Sequence, residues 1–264
     1  MNIVVCVKHI PDPNLPAEMD GKTLKREGVQ GVMDPGDEFG VEAGLQIKER
    51  LATGDGESGE GEVTLVSMGP AAAMEAVRRG LSMGADKGVL VSDDVLKGSD
   101  ALATAKVLSA AIQKNGAFDL VIAGVESTDG YTGTLPGTLA EFLGVPHVST
   151  VKEIVSADGG TLKVNRQTAD GYHVVEVGLP AVISVTAGVN EPRYASFKGI
   201  MAAKKKPVEQ LSLSDLDLSG DDVAVKQEVT ELSKAEEREG GEIIEDDGSA
   251  AAKIADFLKE AKVI

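Results

Sequence analysis

Short apolar runs of strand length recur through the first half of the chain, at Ile3–Val7, Val63–Ser67, Gly88–Val91 and Leu120–Ala123. They are continuous rather than alternating, as in strands covered on both faces, and they predict parallel strands. Between them, apolar residues fall at helical spacing: Val41, Leu45, Ile47 and Leu51, then Met74, Val77 and Leu81, then Leu102, Ala105, Leu108 and Ile112. Ser99 and Asp100 open the third helix as capping residues. The strand–helix succession predicts an α/β fold with an open, doubly wound, mainly parallel sheet. Right-handed crossovers then place any ligand beyond the carboxyl ends of the strands.

After Pro146 the period changes. Val151–Val155, Leu162–Arg166, His173–Val177 and Ala181–Val185 are short alternating or β-branched runs, separated by Asp158-Gly159-Gly160, Asp170-Gly171 and Gly178-Leu179-Pro180. They predict an antiparallel meander with hairpin turns. From Pro207 to Gly248 the chain becomes acidic and poor in apolar residues, with Asp215, Asp217, Asp221, Asp222 and then Glu236-Glu237-Arg238-Glu239-Gly240-Gly241. This composition predicts an extended arm or linker. Beyond it, Ile254, Phe257 and Leu258 share one face of a short helix. That helix either docks on a partner subunit or folds back on its own domain. No internal repeat is evident.

Composition narrows the class. The 264 residues, 42% hydrophobic, suffice for a sizeable core. The apolar runs fall short of the roughly 20 residues needed to cross a bilayer, so no membrane insertion is expected. Met1 leads directly into Ile3–Val7 without the pattern of a secretory signal, and a cytoplasmic location is expected. Cys6 is the single cysteine and reads as an apolar filler of a buried strand. With 43 carboxylates against 26 Lys and Arg, the net charge of −17 argues against nucleic acid as a partner.

Candidate chemistry lies at the predicted strand ends. Ser67-Met68-Gly69-Pro70 leads into a helix whose free N–H groups can hold an anion. The turn Gly124-Val125-Glu126-Ser127-Thr128-Asp129-Gly130-Tyr131-Thr132-Gly133-Thr134 has small residues that admit close backbone approach to a phosphate, and hydroxyls at Ser127, Thr132 and Thr134. An ordinary glycine-rich βα turn explains it equally well. Met33-Asp34-Pro35-Gly36-Asp37-Glu38 borders the same crevice, and its Asp37 and Glu38 complement a helix dipole. His9, His147 and His173 lack ligand spacing, so no metal site is expected, and no catalytic constellation is present. The residues favour a nucleotide-binding module over a hydrolase.

One stretch reverses the acidic background. Val189-Asn190-Glu191-Pro192-Arg193-Tyr194-Ala195-Ser196-Phe197-Lys198-Gly199-Ile200-Met201-Ala202-Ala203-Lys204-Lys205-Lys206 follows the last core strand. By composition alone it is a solvated basic turn or a contact loop. Its Asn-Glu-Pro-Arg-Tyr core, followed by Ile-Met and a lysine run, resembles the signature of the electron-transfer flavoprotein beta subunit. Val5-Cys6-Val7-Lys8, Met33-Asp34-Pro35, Ser67-Met68-Gly69-Pro70, Gly84-Ala85-Asp86 and the Asp129-to-Pro146 segment extend the resemblance over nearly the whole chain.

The resemblance implies a Rossmann-like nucleotide-binding domain at 1–206, with a recognition loop at 189–206, and a 207–264 arm that docks on an alpha subunit. It implies an electron carrier without its own substrate turnover, passing electrons from acyl-CoA dehydrogenases of fatty acid beta-oxidation and other flavoprotein dehydrogenases to a membrane quinone oxidoreductase. FAD would be held mainly by alpha, and AMP would lie in the strand-end crevice at Cys6, Asp34, Met68, Ser127, Asp129, Gly130, Thr132, Gly133 and Thr134. Partner recognition maps to Arg193, Tyr194, Phe197, Lys198, Ile200 and Met201. Phe197 stands where a leucine is common, as an apolar anchor, while Arg193, Lys198 and the lysine run steer an acidic surface. The turn after the fourth strand holds fewer Asp and amide residues than in better-known members. Gln167 stands where an acidic residue often meets an arginine of alpha. Two alternatives remain: a bifurcating relative with a second FAD in place of AMP, and a non-redox nucleotide-binding protein.

Overall fold

A computed structural model describes residues 1–53, 61–158, 160–233, 241 and 243–264. In chain order the elements are β1 (Asn2–Cys6), β2 (His9–Pro11), β3 (Met19–Asp20), β4 (Thr23–Leu24), β5 (Gly31–Met33), α1 (Pro35–Thr53), β6 (Glu62–Met68), α2 (Met74–Met83), β7 (Lys87–Val91) and α3 (Ala101–Asn115). They continue with β8 (Leu120–Gly124), α4 (Leu135–Leu143), β9 (His147–Asp158), β10 (Thr161–Thr168), β11 (Gly171–Gly178), β12 (Ala181–Val185), α5 (Phe197–Ala203), β13 (Val208–Leu211) and α6 (Ala250–Glu260). The Asp158-Gly159-Gly160 turn and the Glu236–Gly240 acidic run include positions outside the described residues.

The central sheet has the order β11-β10-β9-β12-β8-β1-β6-β7-β13. From β9 to β13 every neighbouring pair is parallel. β10 and β11 extend the β9 side as an antiparallel meander. Alternation along β1 divides the core: Ile3, Val5 and Val7 join the apolar cluster beneath α1 and α2, whereas Val4 and Cys6 join the one beneath α3 and α4. Helices on both faces of a mostly parallel sheet make this a Rossmann-like doubly wound α/β fold.

β12 departs from the expected meander. Its five residues are all buried, and it inserts between β9 and β8, parallel to both. Val182 faces one apolar cluster while Ile183 and Val185 face the other. Full burial of each such side chain stabilises by about 1.5–3 kcal/mol, and only a strand covered on both faces gains that twice over. β9 makes the transition: Thr150, at φ +52°, breaks its register, and the same strand then turns to pair with β10.

The expected boundary at 206/207 lies inside the folded unit. β13 adds to the free edge of β7, and Leu211, Leu213, Leu216 and Val223 are buried in the α3-side cluster. The acidic residues between them hold turns: Asp215 accepts from the Ser212 N–H at 2.8 Å and Asp222 from the Ser219 N–H at 3.0 Å. Low apolar content here reflects turns closed by Asp side chains that reach back three residues to a backbone N–H, rather than absence of structure. The chain forms two compact units, Met1–Val229 and Thr230–Ile264. In the second, α6 exposes Ile254 and Phe257.

Candidate functional site

The sheet order reverses beside β1, because the chain runs from β1 out to β6 and β7 and then returns to β8 on the opposite side of β1. The carboxyl ends of β1 and β8 therefore open a crevice. Lys8, just after β1, occupies it. Its backbone N–H donates to Asp37 Oδ2 at 2.7 Å, and its ammonium donates to Asp129 Oδ1 at 2.6 Å and Ser127 Oγ at 3.2 Å. Arg26 pairs with the other oxygen of Asp129. Burial alone would raise the Asp129 carboxyl, but the Lys8 ammonium and then the Arg26 guanidinium outweigh it and hold the group below its ordinary range.

Asp34 joins the start of α1 to the same turn. Its Oδ1 accepts from the Gly36 N–H at 3.0 Å and the Thr128 hydroxyl at 2.6 Å, and its Oδ2 accepts from the Thr128 N–H at 2.7 Å. Asp37 is buried beside it. Desolvation first, and the Asp34 carboxylate second, push Asp37 well above the usual carboxylate range against the opposing Lys8 N–H. Asp37 thus receives a backbone donor from Lys8, beyond the end of β1, while Glu38 takes the Arg79 guanidinium at 2.9 Å. These contacts go beyond the dipole complement read from the sequence.

The structure brings Asp34, Ser127 and Asp129 together. Cys6, buried at the carboxyl end of β1, and Met68, at the end of β6, pack against the α3-side apolar cluster. The Cys6 thiol is pushed up to about 12 by burial, with Asp37 adding to it, so it is a packed neutral group rather than a nucleophile. Gly130, Thr132, Gly133 and Thr134 are exposed at the rim. Thr134 precedes α4 without a side-chain capping bond, and Pro136 in the first turn has no N–H to be capped. Next to the turn is a cavity of about 580 Å³ between Thr128, Asp129 and Tyr131 on one side and Ile10, Leu15, Leu24 and Val29 on the other. Lys8 could have been singled out as the residue leaving a strand end. Arg26 gives no such signal, because it sits in a stretch without periodicity and reaches Asp129 only through the fold.

The second region is the segment after β12. Ser196 caps α5 by accepting the Gly199 N–H at 3.0 Å. α5 rests on α2: Arg78 donates to the Ala203 and Lys206 carbonyls at 2.6 and 2.8 Å. A Cβ on Gly199 would lie 2.5 Å from the Ser82 carbonyl oxygen, so glycine permits this approach. Outward it presents Tyr194 and Phe197, 92% and 80% exposed, with Ile200, Met201, Lys198, Lys204 and Lys205.

Two of the basic residues are otherwise engaged. Arg193 donates from Nε and Nη2 to Glu42 at 2.7 and 3.0 Å, and from Nη1 and Nη2 to Glu49 at 2.5 and 3.0 Å. The hydrogen bonds that it donates to Glu49 and Glu42 raise its already high pKa further. Lys206 donates to the carbonyls of Leu81 and Ala85 at 3.0 and 2.5 Å, and burial lowers its pKa. Arg193 and Lys206 therefore fasten the segment, in contrast to the steering role read from the sequence. Lys198, Lys204 and Lys205 carry the exposed positive charge. Glu42 and Glu49 had one legible sign, a seven-residue spacing that puts both on one face of α1.

The electron transfer flavoprotein domain model matches residues 21–216. An electron transfer flavoprotein subunit beta of Mycobacterium tuberculosis is 42% identical over 268 residues, covering 100% of this chain and 99% of its own length. The chain belongs to the electron transfer flavoprotein family, with the beta subunits. A beta subunit from Clostridium acetobutylicum is 36% identical over the full length of both chains. The Acetobacterium woodii protein named caffeyl-CoA reductase-Etf complex subunit CarD is 35% identical, again over the full length of both. Electron transfer flavoprotein subunits are flavoproteins of electron transport, carriers rather than enzymes. Among the described residues no helix is long and apolar enough to cross a membrane, and no three His, Cys, Asp or Glu side chains cluster to hold a metal ion.

Proposed function

We propose that this chain pairs with an electron transfer flavoprotein alpha subunit and that the heterodimer carries electrons from acyl-CoA dehydrogenases and related flavoprotein dehydrogenases, including those of fatty acid beta-oxidation, to a membrane quinone oxidoreductase. FAD, held mainly by alpha, supplies the redox chemistry. This chain positions and recognises. The arm with α6 docks on alpha, and the work is done in the cytoplasm. The observation that carries this reading is the segment from Tyr194 to Lys205. An exposed aromatic anchor flanked by cations, fastened at both ends, suits a carrier that must bind acidic partners briefly and leave.

The crevice has features that fit AMP. The exposed Thr132 and Thr134 and the start of α4, which Thr134 does not cap, offer donors to a phosphate, the Lys8 and Arg26 cations paired with Asp129 add positive charge beside them, and Gly130 and Gly133 keep the rim low. Cys6, Asp34 and Met68 would then act from behind this surface. A second reading places FAD there, in a flavoprotein that bifurcates electrons with NADH. It draws support from the size of the neighbouring cavity and from the Acetobacterium woodii relative's place in a reductase–Etf complex.

Co-expression with the alpha subunit, denaturation and quantification of released nucleotides separates the readings. One FAD and one AMP per heterodimer is the expected result. Two FAD would replace the AMP reading with the bifurcating one. Absence of flavin would refute both and leave a non-redox nucleotide-binding protein.

A further inference from the structure

The signature arginine points inward. Arg193 stands immediately before the exposed Tyr194, yet its guanidinium is turned onto α1, where Glu42 and Glu49 each take two of its N–H groups. The Glu42 side chain is only 4% exposed, so this carboxylate is unavailable to a partner and exists to be met from this side. Its Oε1 also accepts from Gln46 at 2.9 Å and its Oε2 from the Arg193 N–H at 3.3 Å, which fixes the backbone as well as the side chain. Asn190, three residues earlier, donates to the Phe39 carbonyl at 3.0 Å. The chain thus enters the docking segment tied to α1 at two successive points and leaves it tied to the end of α2 through Lys206.

A half-exposed ion pair contributes little to global stability, but forked pairing fixes orientation. Orientation is what a small apolar anchor requires. Ordering a loop during docking costs about 0.5–1.5 kcal/mol for each side chain immobilised, a cost that a preorganised loop avoids.

We infer that Glu42 and Glu49 of α1 are positioning residues for partner docking, acting through Arg193 to hold the segment that presents Tyr194 and Phe197. The inference rests on the proposed docking role of that segment. It carries a sign that separates it from electrostatic steering. If Arg193 served to attract an acidic partner, neutralising Glu49 would free a cation and strengthen docking. If Arg193 is a clamp, the same change loosens the segment and weakens docking, although the surface becomes more positive.

The test is the reduction of the FAD-loaded heterodimer by an acyl-CoA dehydrogenase, with the heterodimer as varied substrate. Glu49→Gln is isosteric and lies at the exposed end of the clamp, so folding is retained, which flavin content and thermal midpoint verify. The expected result is a rise in KM of about tenfold, equivalent to about 1.4 kcal/mol, with kcat at saturation held and with no fall in the ionic-strength dependence of kcat/KM. Glu42→Gln moves KM the same way. A KM that falls or stays unchanged in Glu49→Gln overturns the inference. Phe197→Ala, which leaves the clamp intact, runs in parallel. If it too leaves KM unchanged, the segment is not the docking element, and the positioning role fails with that reading rather than by itself.

Discussion

The crevice and the segment after β12 both depend on buried or half-buried ion pairs, but they use them in opposite directions. In the crevice, Lys8 and Arg26 converge on one carboxylate, Asp129, and Asp34 and Asp37 receive backbone donors, so charge is turned toward a turn that must hold its shape. In the segment after β12, two carboxylates converge on one cation, Arg193, and the residues left outside are apolar or singly basic. The first arrangement shapes a surface with polar groups. The second removes polar groups from a surface so that an aromatic can lead. A cluster of basic residues in sequence therefore says nothing about which of them meet a partner until their acidic neighbours are placed.

The comparison can be broken most forcefully at Gly199. Gly199→Val would drive its side chain into the Ser82 carbonyl and lift α5 from α2. A loss of about 3 kcal/mol is expected from overpacking, measured by chemical denaturation of the assembled protein; a change under about 0.5 kcal/mol, the range of ordinary surface substitutions, would mean that α5 is not seated. Next in size is Phe197→Ala, expected to weaken dehydrogenase docking by about 2 kcal/mol as a hot spot while leaving flavin content intact. Loss of flavin in that variant would contradict a purely recognitional role.

Asp129→Ala leaves Lys8 and Arg26 without their shared carboxylate. Both cations are about two-fifths exposed, so solvent compensates in part, and a cost of about 1 kcal/mol is expected rather than the full penalty of a buried pair. Loss of the crevice nucleotide should accompany it, read by nucleotide release. An unchanged nucleotide content would dissociate this turn from the site.

The smallest effect is pH-shaped. Because folding raises the Asp37 carboxyl above its unfolded value, the folded state holds a proton that the unfolded state has lost. Stability therefore falls as pH rises from the ordinary carboxylate range toward the folded value. Asp37→Asn should flatten that slope, with thermal midpoints gaining at neutral pH relative to pH 4. For Asp129 the sign reverses: its lowered pKa gives stability that is present above the ordinary carboxylate range and lost as pH falls. A parallel pH profile in the two variants would contradict the opposite shifts.

Much of this was legible beforehand. The continuous runs at Ile3–Val7 and Leu120–Ala123 announce strands buried on both faces, and Asp100 caps α3 as read, accepting the Ala103 N–H at 2.8 Å. β12 departs from the hairpin expectation: Gly178-Leu179-Pro180 resembles a hairpin turn, and Ser184 interrupts an apolar run that is nonetheless buried along its whole length, as most of β1 is. The stretch after Pro207 departs from the expected arm because composition averages over a window, whereas Leu211, Leu213, Leu216 and Val223 need only be correctly placed to be buried. At the site, the turn from Ser127 to Thr134 was visible, but its ties to Asp34 and Lys8 span about a hundred residues of chain.

What the sequence determined by itself was local: periodicity set the strands and helices, and the motif from Asn190 to Lys206 marked the family, since both reside in neighbouring residues. Tertiary structure decided which charges are spent internally. Arg193 and Lys198 carry the same charge five residues apart, yet one is consumed by Glu42 and Glu49 and the other is exposed. The physical reason is that an ion pair depends on distance in space, and folding brings α1 to the first of these residues and leaves the second facing outward.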